Sequence, residues 1–482
     1  MKVNMTTQST VGLNLLSETQ IEEIHSASMQ VLTTVGVDVF EEEGLELLRE
    51  AGADVKGTRV RIPVWLVQQA LASAPKSVTL FNRMGEPACI LEKGRIHYGT
   101  GSDTPYTLDL ENGGRRLATN NDVKNAARLA DALEHIDFIM SLGLSSDVPE
   151  ESSDVYQFQA MITNTTKPIV FTAHDKRGVL DIHAIAALVA GGERELALKP
   201  TLALYAEPTS PLIHTKEVVE KLLVCAEKGI PLVYVPATMR AATGPVTPAG
   251  SLVVANVEQL SGLVLHQNKK KGAPFIYGGG TPPMDLKTFI CSYGSPERDL
   301  SCTALVKIGQ YYNLPTFTTA GCSDAHVFDQ QAGMEAGFNL LISGLAGGNL
   351  IHDCGYLGIG LISSMEMLVL CDEAINNVKY YLRGVEVNAE TLAVEVIKAV
   401  GPGGNFLAEE HTMKHFRKNR VETHVVNRQN LDNWLIAGEK TFGQVANERV
   451  KELLLTHTVP ELPDDVLSGI ESIIKKERKQ AQ

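Results

Sequence analysis

The chain has 482 residues, of which 44% are hydrophobic and 21% charged, and its formal net charge is −14. This composition excludes a disordered chain, and the acidic balance disfavours nucleic-acid binding because phosphate contacts need clustered Lys and Arg. No apolar run reaches the ~18–20 residues that span a bilayer, and residues 1–16 look like a loose leader without the apolar stretch of a signal peptide. The seven scattered cysteines have no C-x-x-C spacing, so we expect a cytoplasmic protein with neither a disulfide framework nor a metal site.

The N-terminal part predicts an α+β region. Ser17 and Gln20 have the spacing of a capping box, and an apolar-periodic run begins at Ile21. This pattern predicts helices to about residue 74, followed by a strand at 78–81. The residues ENGG at 111–114 predict the turn of a hairpin.

From residue 95 onward, short apolar runs alternate with helical segments. Eight runs have the composition of strands: 95–100, 136–143, 168–172, 201–206, 231–236, 274–279, 315–320 and 349–353. Helical patterns lie between and after them, at 121–133, 178–189, 215–228, 248–269, 297–311, 328–346 and 363–382. Continuous apolar strands in β–α alternation are typical of a parallel sheet covered by helices, and eight units favour a (β/α)8 TIM barrel. A count of seven strands would leave an open sheet possible.

The predicted fold class is therefore α/β with three parts. An N-terminal α+β region (1–94) packs on the barrel (95–390), and a C-terminal helical extension (391–482) ends in a polar tail at 475–482. In such barrels the active site lies at the C-terminal ends of the strands. We therefore expect the functional residues where the eight runs end.

Aromatic and acidic residues are common at these predicted strand ends. The aromatic candidates are Tyr98, Tyr205, Tyr277 and Tyr356, and the carboxylates include Asp103, Glu207, Asp324 and Asp353. Aromatic faces beside carboxylates suit a quaternary ammonium, which cannot donate hydrogen bonds and is attracted by cation–π contact. The alternative is that each Tyr packs in the barrel wall with its hydroxyl satisfied.

His352 is the sharpest single candidate for catalysis, since it ends the eighth run and precedes Asp353. The alternative is a core histidine bonded to a carbonyl. No G-x-S-x-G motif supports a hydrolase, and no lysine lies in the eight runs, which argues against a Schiff-base lyase or aldolase.

Several separated motifs, spread from about residue 17 to 460, resemble one family. They are TGPVTPAG at 243–250 with Asn256 and Glu258, EPTSPL at 207–212, Asp324 with QAG at 331–333, and GPGGNFL at 401–407 with HFR at 415–417. On these residues the chain resembles the trimethylamine methyltransferase family of corrinoid-dependent methyltransferases. The resemblance implies a (β/α)8 barrel that moves a methyl group from a methylated amine to the Co(I) of a separate corrinoid protein.

One departure from the family narrows the expected substrate. The archaeal trimethylamine enzymes of the family carry pyrrolysine, whereas all 482 positions here are standard residues. The resemblance to the non-pyrrolysine branch implies a quaternary amine donor, with glycine betaine the first expectation and proline betaine, carnitine or γ-butyrobetaine as alternatives. A betaine-binding protein without catalysis is a further alternative.

The resemblance also implies a protein partner for this chain and roles for its candidate site residues. The corrinoid is supplied by the cognate corrinoid protein and no cofactor is tightly bound, because the D-x-H-x-x-G signature of cobalamin domains is missing. His352 would help to position the corrinoid or gate the transfer. The candidate substrate-binding residues are Tyr98, Asp103, Tyr205, Glu207, Tyr277, Asp324 and Tyr356, and the candidate donors to a substrate carboxylate are Thr209, Ser210, Arg240 and Arg298. A homo-oligomer is possible; a membrane or nucleic-acid partner is not expected.

Overall fold

The computed structural model describes residues 12–480. Most of the predicted leader and the last two residues of the predicted tail lie outside this range. Residues 12–94 form the helices α1 (Glu18–Thr34), α2 (Glu42–Glu50) and α3 (Val64–Ser73) and the strands β1 (Val37–Val39), β2 (Asp54–Lys56), β3 (Arg59–Arg61), β4 (Val78–Phe81) and β5 (Pro87–Leu91). The predicted capping box at Ser17 and Gln20 is confirmed.

Residues 95–383 carry the central sheet and the helices around it. Its strands and hairpins are β6 (His97–Thr100), β7 (Tyr106–Leu108), β8 (Arg115–Leu117), β9 (Ile169–Phe171), β10 (Leu202–Ala206), β11 (Ile213–His214), β12 (Leu232–Tyr234), β13 (Phe275–Gly278), β14 (Thr316–Thr319), β15 (Leu350–Cys354), β16 (Tyr356–Leu357) and β17 (Ile362–Ser363). Its helices are α4 (Asn120–Ala132), α5 (Ser153–Asn164), α6 (Lys176–Ala190), α7 (Glu193–Leu198), α8 (Lys216–Lys228), α9 (Pro248–Lys269), α10 (Pro296–Tyr311), α11 (Gln330–Ala346) and α12 (Met365–Leu382), with a 3-10 turn at Glu150–Ser152.

Seven strands form one parallel sheet in the order β6-β15-β14-β13-β12-β10-β9. The second predicted run, 136–143, contributes only isolated parallel bridges, from Phe138 to Gly99 on β6 and from Ile139 to Ile169 on β9. The prediction of an α/β fold with a parallel sheet covered by helices is confirmed. The eight-stranded barrel is confirmed in part, because seven of its strands are regular.

The helices begin and end where local chemistry dictates. Pro248 and Pro296 occupy the first positions of α9 and α10, where a missing N–H costs nothing. Helix α8 ends at Gly229 and α11 at Gly347, and both glycines adopt the left-handed conformation that closes a helix. The predicted turn at 111–114 joins the antiparallel pair β7 and β8.

Two apolar cores lie on the two faces of the sheet. The inner core contains alternate strand residues, such as Val233, Ile276 and Phe317, and includes Leu80 and Leu91 of the β4–β5 hairpin. The outer core joins the other strand residues to the helices. The β4–β5 hairpin therefore packs into the inner core.

The C-terminal part adds five helices: α13 (Val394–Val400), α14 (Glu410–His415), α15 (Leu431–Ile436), α16 (Phe442–Thr456) and α17 (Asp464–Gln480). Helix α16 buries Ala446, Val450 and Leu453 against the outer core. Helices α13 to α15 bury no residue. Within residues 12–480, no helix combines the length and the apolar character needed to cross a membrane.

Candidate functional site

A cavity of about 620 Å³ lies where the parallel strands end. Residues from most of these ends line it: Asp103 follows β6, Thr172 follows β9, Glu207 follows β10, Pro236 follows β12 and Gly279 follows β13. The carboxyl ends of parallel strands meet at one edge of a sheet, which explains why residues so distant in sequence share one cavity. Five of the eight residues predicted for catalysis and substrate binding line it: Asp103, Tyr205, Glu207, His352 and Tyr356.

Three rings pack together in the cavity wall. The ring centroids of His352 and Phe317 are 4.4 Å apart, and those of His352 and Tyr205 are 5.8 Å apart. The ring centroids of Tyr205 and Phe317 are 5.5 Å apart, so each of the three rings contacts the other two. Aromatic contacts of this kind hold each ring in one orientation. The imidazole of His352 is thereby fixed between two aromatic neighbours.

Arg298 connects His352 to a buried polar cluster. Its Nη2 donates to Asp353 Oδ2 at 2.8 Å, and its Nη1 donates to Cys322 Sγ at 2.9 Å and to the carbonyl oxygen of Tyr293 at 3.2 Å. The guanidinium also lies over the ring of Tyr293, 4.1 Å from its centroid. On the other side, His352 Nδ1 lies 3.0 Å from Asp353 Oδ1.

The charges in this cluster compensate each other. Burial opposes ionisation of Asp353, but His352 and Arg298 outweigh it, so the pKa of the carboxyl falls below its ordinary value. Burial also disfavours the charge of Arg298, but Cys322 and Asp353 raise its pKa well above the ordinary value. Asp353 is therefore an ionised carboxylate with two fixed neighbours.

A break in strand pairing brings two consecutive residues to the same cavity. The pairing of β15 with β6 shifts its register between Ile351 and Cys354, and Asp353 has a positive φ of 83°. Residues next to each other in a regular strand point to opposite faces, whereas a bulge redirects a side chain. His352 and Asp353 therefore both face the cavity.

A second part of the lining consists of Tyr205, Glu207 and Lys221, and it adjoins His352 through the ring of Tyr205. The hydroxyl of Tyr205 donates to Glu207 Oε1. Glu207 is open to the cavity, yet protein surrounds it, and the lost hydration raises the pKa of its carboxyl. Lys221, on α8, donates from Nζ to the carbonyl oxygen of Ala173 at 2.8 Å.

Asp103 and Tyr356 complete the lining. Asp103 accepts hydrogen bonds from Ser141 Oγ at 2.8 Å and from Thr172 Oγ1 at 2.7 Å. The hydroxyl of Tyr356 donates to the carbonyl oxygen of Ser102 at 2.9 Å. Its ring covers Gly101, where an added Cβ would meet Tyr356 Cε1 at 2.0 Å, so only glycine leaves room for the ring.

The other three of these eight residues do not line the cavity. Tyr98 and Tyr277 lie on the outer face of the sheet, since their strand neighbours occupy the inner face, and their hydroxyls donate to Leu340 O at 3.0 Å and Asn256 Oδ1 at 2.9 Å. The alternative that a Tyr packs in the wall with its hydroxyl satisfied therefore describes these two. Asp324 accepts from the backbone N–H of Tyr293 at 2.7 Å and so holds the loop that carries this cavity residue.

Of the four predicted donors to a substrate carboxylate, one lines the cavity and three do not. Arg298 reaches the cavity, whereas Arg240 donates to the carbonyl oxygens of Thr281 and Glu297 outside the lining. Ser210 Oγ donates to Glu258 Oε2 at 2.8 Å, and neither Ser210 nor Thr209 lines the cavity.

Sequence reasoning did not select Tyr293, Phe317 or Lys221. Phe317 could have been found from the alternation within β14, because it lies on the inner face. Tyr293 lies in the long segment between β13 and α10, and Lys221 lies on a helix, so neither follows a strand end. Among the described residues no group of three or more His, Cys, Asp or Glu could hold a metal ion.

Comparisons with known proteins match nearly the whole chain. The sequence model of the family described as "Trimethylamine methyltransferase (MTTB)" matches residues 1–482. Trimethylamine methyltransferase MttB of Desulfitobacterium hafniense (strain DSM 10664 / DCB-2) is 34% identical, over 96% of this chain and 94% of that protein. Glycine betaine methyltransferase of D. hafniense (strain Y51) is 29% identical, over 97% and 98%. The structure of the Methanosarcina barkeri monomethylamine methyltransferase (MtmB) is 12% identical with a TM-score of 0.49, over 92% and 95%.

Proposed function

Because this chain belongs to the trimethylamine methyltransferase (MTTB) family, we propose that it transfers a methyl group from a quaternary amine to the Co(I) corrinoid of a separate protein. Glycine betaine is the proposed donor. Dimethylglycine and a methyl-Co(III) corrinoid protein are the products. The similarity to a glycine betaine methyltransferase over 97% of the chain supports this choice of donor.

The observation that carries the proposal is the combination of aromatic rings and carboxylates in one cavity. Tyr205, Phe317 and Tyr293 supply aromatic rings, and Glu207 and Asp103 supply carboxyl groups. A quaternary ammonium offers no N–H group, so aromatic faces and long-range charge are its main specific attractions. The cavity provides both kinds of attraction.

A quaternary donor needs no proton on its nitrogen before that nitrogen can leave. Co(I) attacks the methyl carbon, the C–N bond breaks, and the electron pair stays on nitrogen, which leaves as a neutral tertiary amine. A quaternary donor already carries the positive charge, so the step needs positioning and desolvation more than acid catalysis. The presence of standard residues at all 482 positions supports a substrate that needs no special activating group.

Within this proposal, His352 lies at the cavity and helps to position the acceptor or gate the transfer. Asp103, Tyr205, Glu207 and Tyr356 contribute to the substrate pocket. The corrinoid protein docks where the cavity opens, and no cofactor is tightly bound to this chain. The run at 136–143 completes an eight-stranded barrel between β6 and β9, which the bridges at Phe138 and Ile139 support.

The direct test mixes the full chain, a purified corrinoid protein in the Co(I) state and a quaternary amine. We expect glycine betaine to convert the Co(I) spectrum to that of methyl-Co(III), with proline betaine and carnitine as compared donors. Turnover with trimethylamine but with no quaternary amine would contradict the proposal. Betaine binding without turnover with any corrinoid protein would favour a binding protein instead.

The role of His352 is tested by His352→Ala. We expect the transfer rate to fall by about 10²-fold or more, the usual size of a positioning or proton-transfer contribution, while the affinity for betaine stays within a few-fold. The matched control is His326→Ala, which changes an exposed histidine outside the cavity lining. Unchanged transfer in His352→Ala would remove this residue from the mechanism.

A further inference from the structure

Lys221 is a buried cation in the wall of the cavity. It lies on α8, its exposed fraction is 8%, and it lines the cavity with Ala173 and Val218. Its ammonium has three N–H donors, and the bond to the Ala173 carbonyl uses one of them. The other two N–H donors have no acceptor among the residues that the structure describes.

No carboxylate partner holds this ammonium. Among the described residues, no Asp or Glu oxygen lies within 4.0 Å of Lys221 Nζ. Burial lowers the pKa of Lys221, and neighbouring groups, Glu207 among them, oppose that change. A buried cation without a partner is unfavourable, and a bound anion would relieve this cost.

Arg298, the other basic side chain in the lining, already has acceptors within the protein. Arg298 donates to Asp353, to Cys322 and to the Tyr293 carbonyl, and its charge is balanced by the Asp353 carboxylate. An anionic group reaching Arg298 would have to compete with that carboxylate. Lys221 presents no such competitor.

Glu207 and Lys221 together match a zwitterion. Both line the cavity, Glu207 directly after β10 and Lys221 on α8. A betaine carries a quaternary ammonium and a carboxylate a short distance apart. Glu207 and the aromatic rings attract the first, and an ammonium with free donors attracts the second.

We propose that Lys221 binds the carboxylate of the donor and thereby selects betaines over quaternary amines that lack an acid group. This inference rests on the proposed function of the cavity. It adds a residue that determines specificity and narrows the substrate class to zwitterionic quaternary amines.

The experiment compares two ligands by calorimetry on the full chain: glycine betaine and tetramethylammonium, which has no carboxylate. In Lys221→Met we expect betaine affinity to fall roughly 10- to 100-fold, as for loss of a hydrogen bond between charged groups, and tetramethylammonium affinity to stay within about threefold. Lys221→Arg should keep part of the preference for betaine. Lys216→Met, on the exposed surface of the same helix, is the matched control and should leave both affinities unchanged.

The outcomes separate this inference from the proposed function. Equal losses for both ligands in Lys221→Met would mean a structural role and would overturn the inference, as would an unchanged ratio of affinities. A wild-type chain that binds tetramethylammonium as well as betaine would also overturn it. A wild-type chain that binds neither would contradict the proposed function, and the inference would fall with it.

Discussion

Two walls of the cavity use their charges differently. The paired wall consists of Tyr293, Arg298, His352 and Asp353, and the open wall consists of Tyr205, Glu207 and Lys221. In the paired wall the guanidinium and the carboxylate neutralise each other at 2.8 Å. In the open wall the carboxyl of Glu207 has a raised pKa, and within residues 12–480 the ammonium of Lys221 has a carbonyl oxygen as its only hydrogen-bond partner.

The difference indicates two tasks. A buried ion pair that is held by further hydrogen bonds is rigid and gives little to a ligand. Charges that lack strong partners remain available and gain most when a ligand of opposite charge arrives. We therefore expect the paired wall to govern stability and the position of His352, and the open wall to govern which substrate binds.

The largest expected effect comes from breaking the paired wall. Arg298→Met removes the partner of the Asp353 carboxylate and leaves a buried charge uncompensated, which should lower the free energy of unfolding by about 3–5 kcal/mol. Denaturant unfolding measures the change. The control is Arg49→Met, which breaks an exposed pair with Glu46 and should cost less than about 1 kcal/mol. Similar small losses in both variants would show that Arg298 is not needed for stability.

A second effect concerns the support behind the open wall. Glu258 accepts from Leu212 N at 2.7 Å and from Ser210 Oγ, and so holds the segment that follows Glu207. Burial raises the pKa of Glu258 from 4.5 to about 6, which corresponds to about 2 kcal/mol. The raised pKa favours the protonated folded state, so this contribution is present below pH 4.5 and is lost as the pH rises through 6.

The test is the pH dependence of unfolding for Glu258→Gln. The stability of the wild-type chain relative to this variant should fall by about 2 kcal/mol between pH 4.5 and 6 and stay constant above that range. Glu46→Gln on the surface serves as the control and should show no comparable trend. A difference that is flat across the same pH range would mean that Glu258 is ionised with an ordinary pKa.

The smallest expected effect comes from removing the hydrogen bond between Tyr205 and Glu207 in the open wall. Tyr205→Phe removes the hydroxyl that donates to Glu207, and since that bond favours the ionised carboxyl, the pKa of Glu207 should rise further. The acid limb of betaine binding should shift to higher pH, with a loss of affinity of about 2- to 10-fold on that limb. Titration calorimetry over a pH series measures this. Tyr381→Phe, at an exposed tyrosine, should leave the profile where it is, and a Tyr205→Phe profile that coincides with it would contradict the assignment.

Most of the fold could be predicted from the sequence, because its hydrophobic pattern distinguishes strands from helices. Continuous apolar runs mark strands that are buried on both faces, and capping signals such as those at Ser17 and Pro248 mark helix starts. The run at 136–143 is the exception, because it forms isolated bridges and not a regular strand. The division into parts at residues 94 and 390 stays a prediction.

The candidate site was accessible only where it follows strand ends. Glu207 and His352 were found in this way, and their roles stay predictions. Tyr277 was included because the sequence marks a strand end but not which face a side chain takes. Tyr293 lies in a loop and Lys221 on a helix. Their positions in the cavity lining depend on tertiary packing, which a local sequence pattern does not predict.

One feature of the fold bears on how this chain can be divided. Strand β1 pairs in parallel with β11, which lies just beyond the segment held by Glu258, and Asn256 of α9 donates to Ser28 of α1 at 2.9 Å. A shortened protein beginning at residue 95 would expose the edge of β11 and the buried face of α9 to water. Residues 12–94 thus cover β11 and α9, two elements that flank segments of the cavity lining, and a shortened protein has to keep them to hold these elements in place.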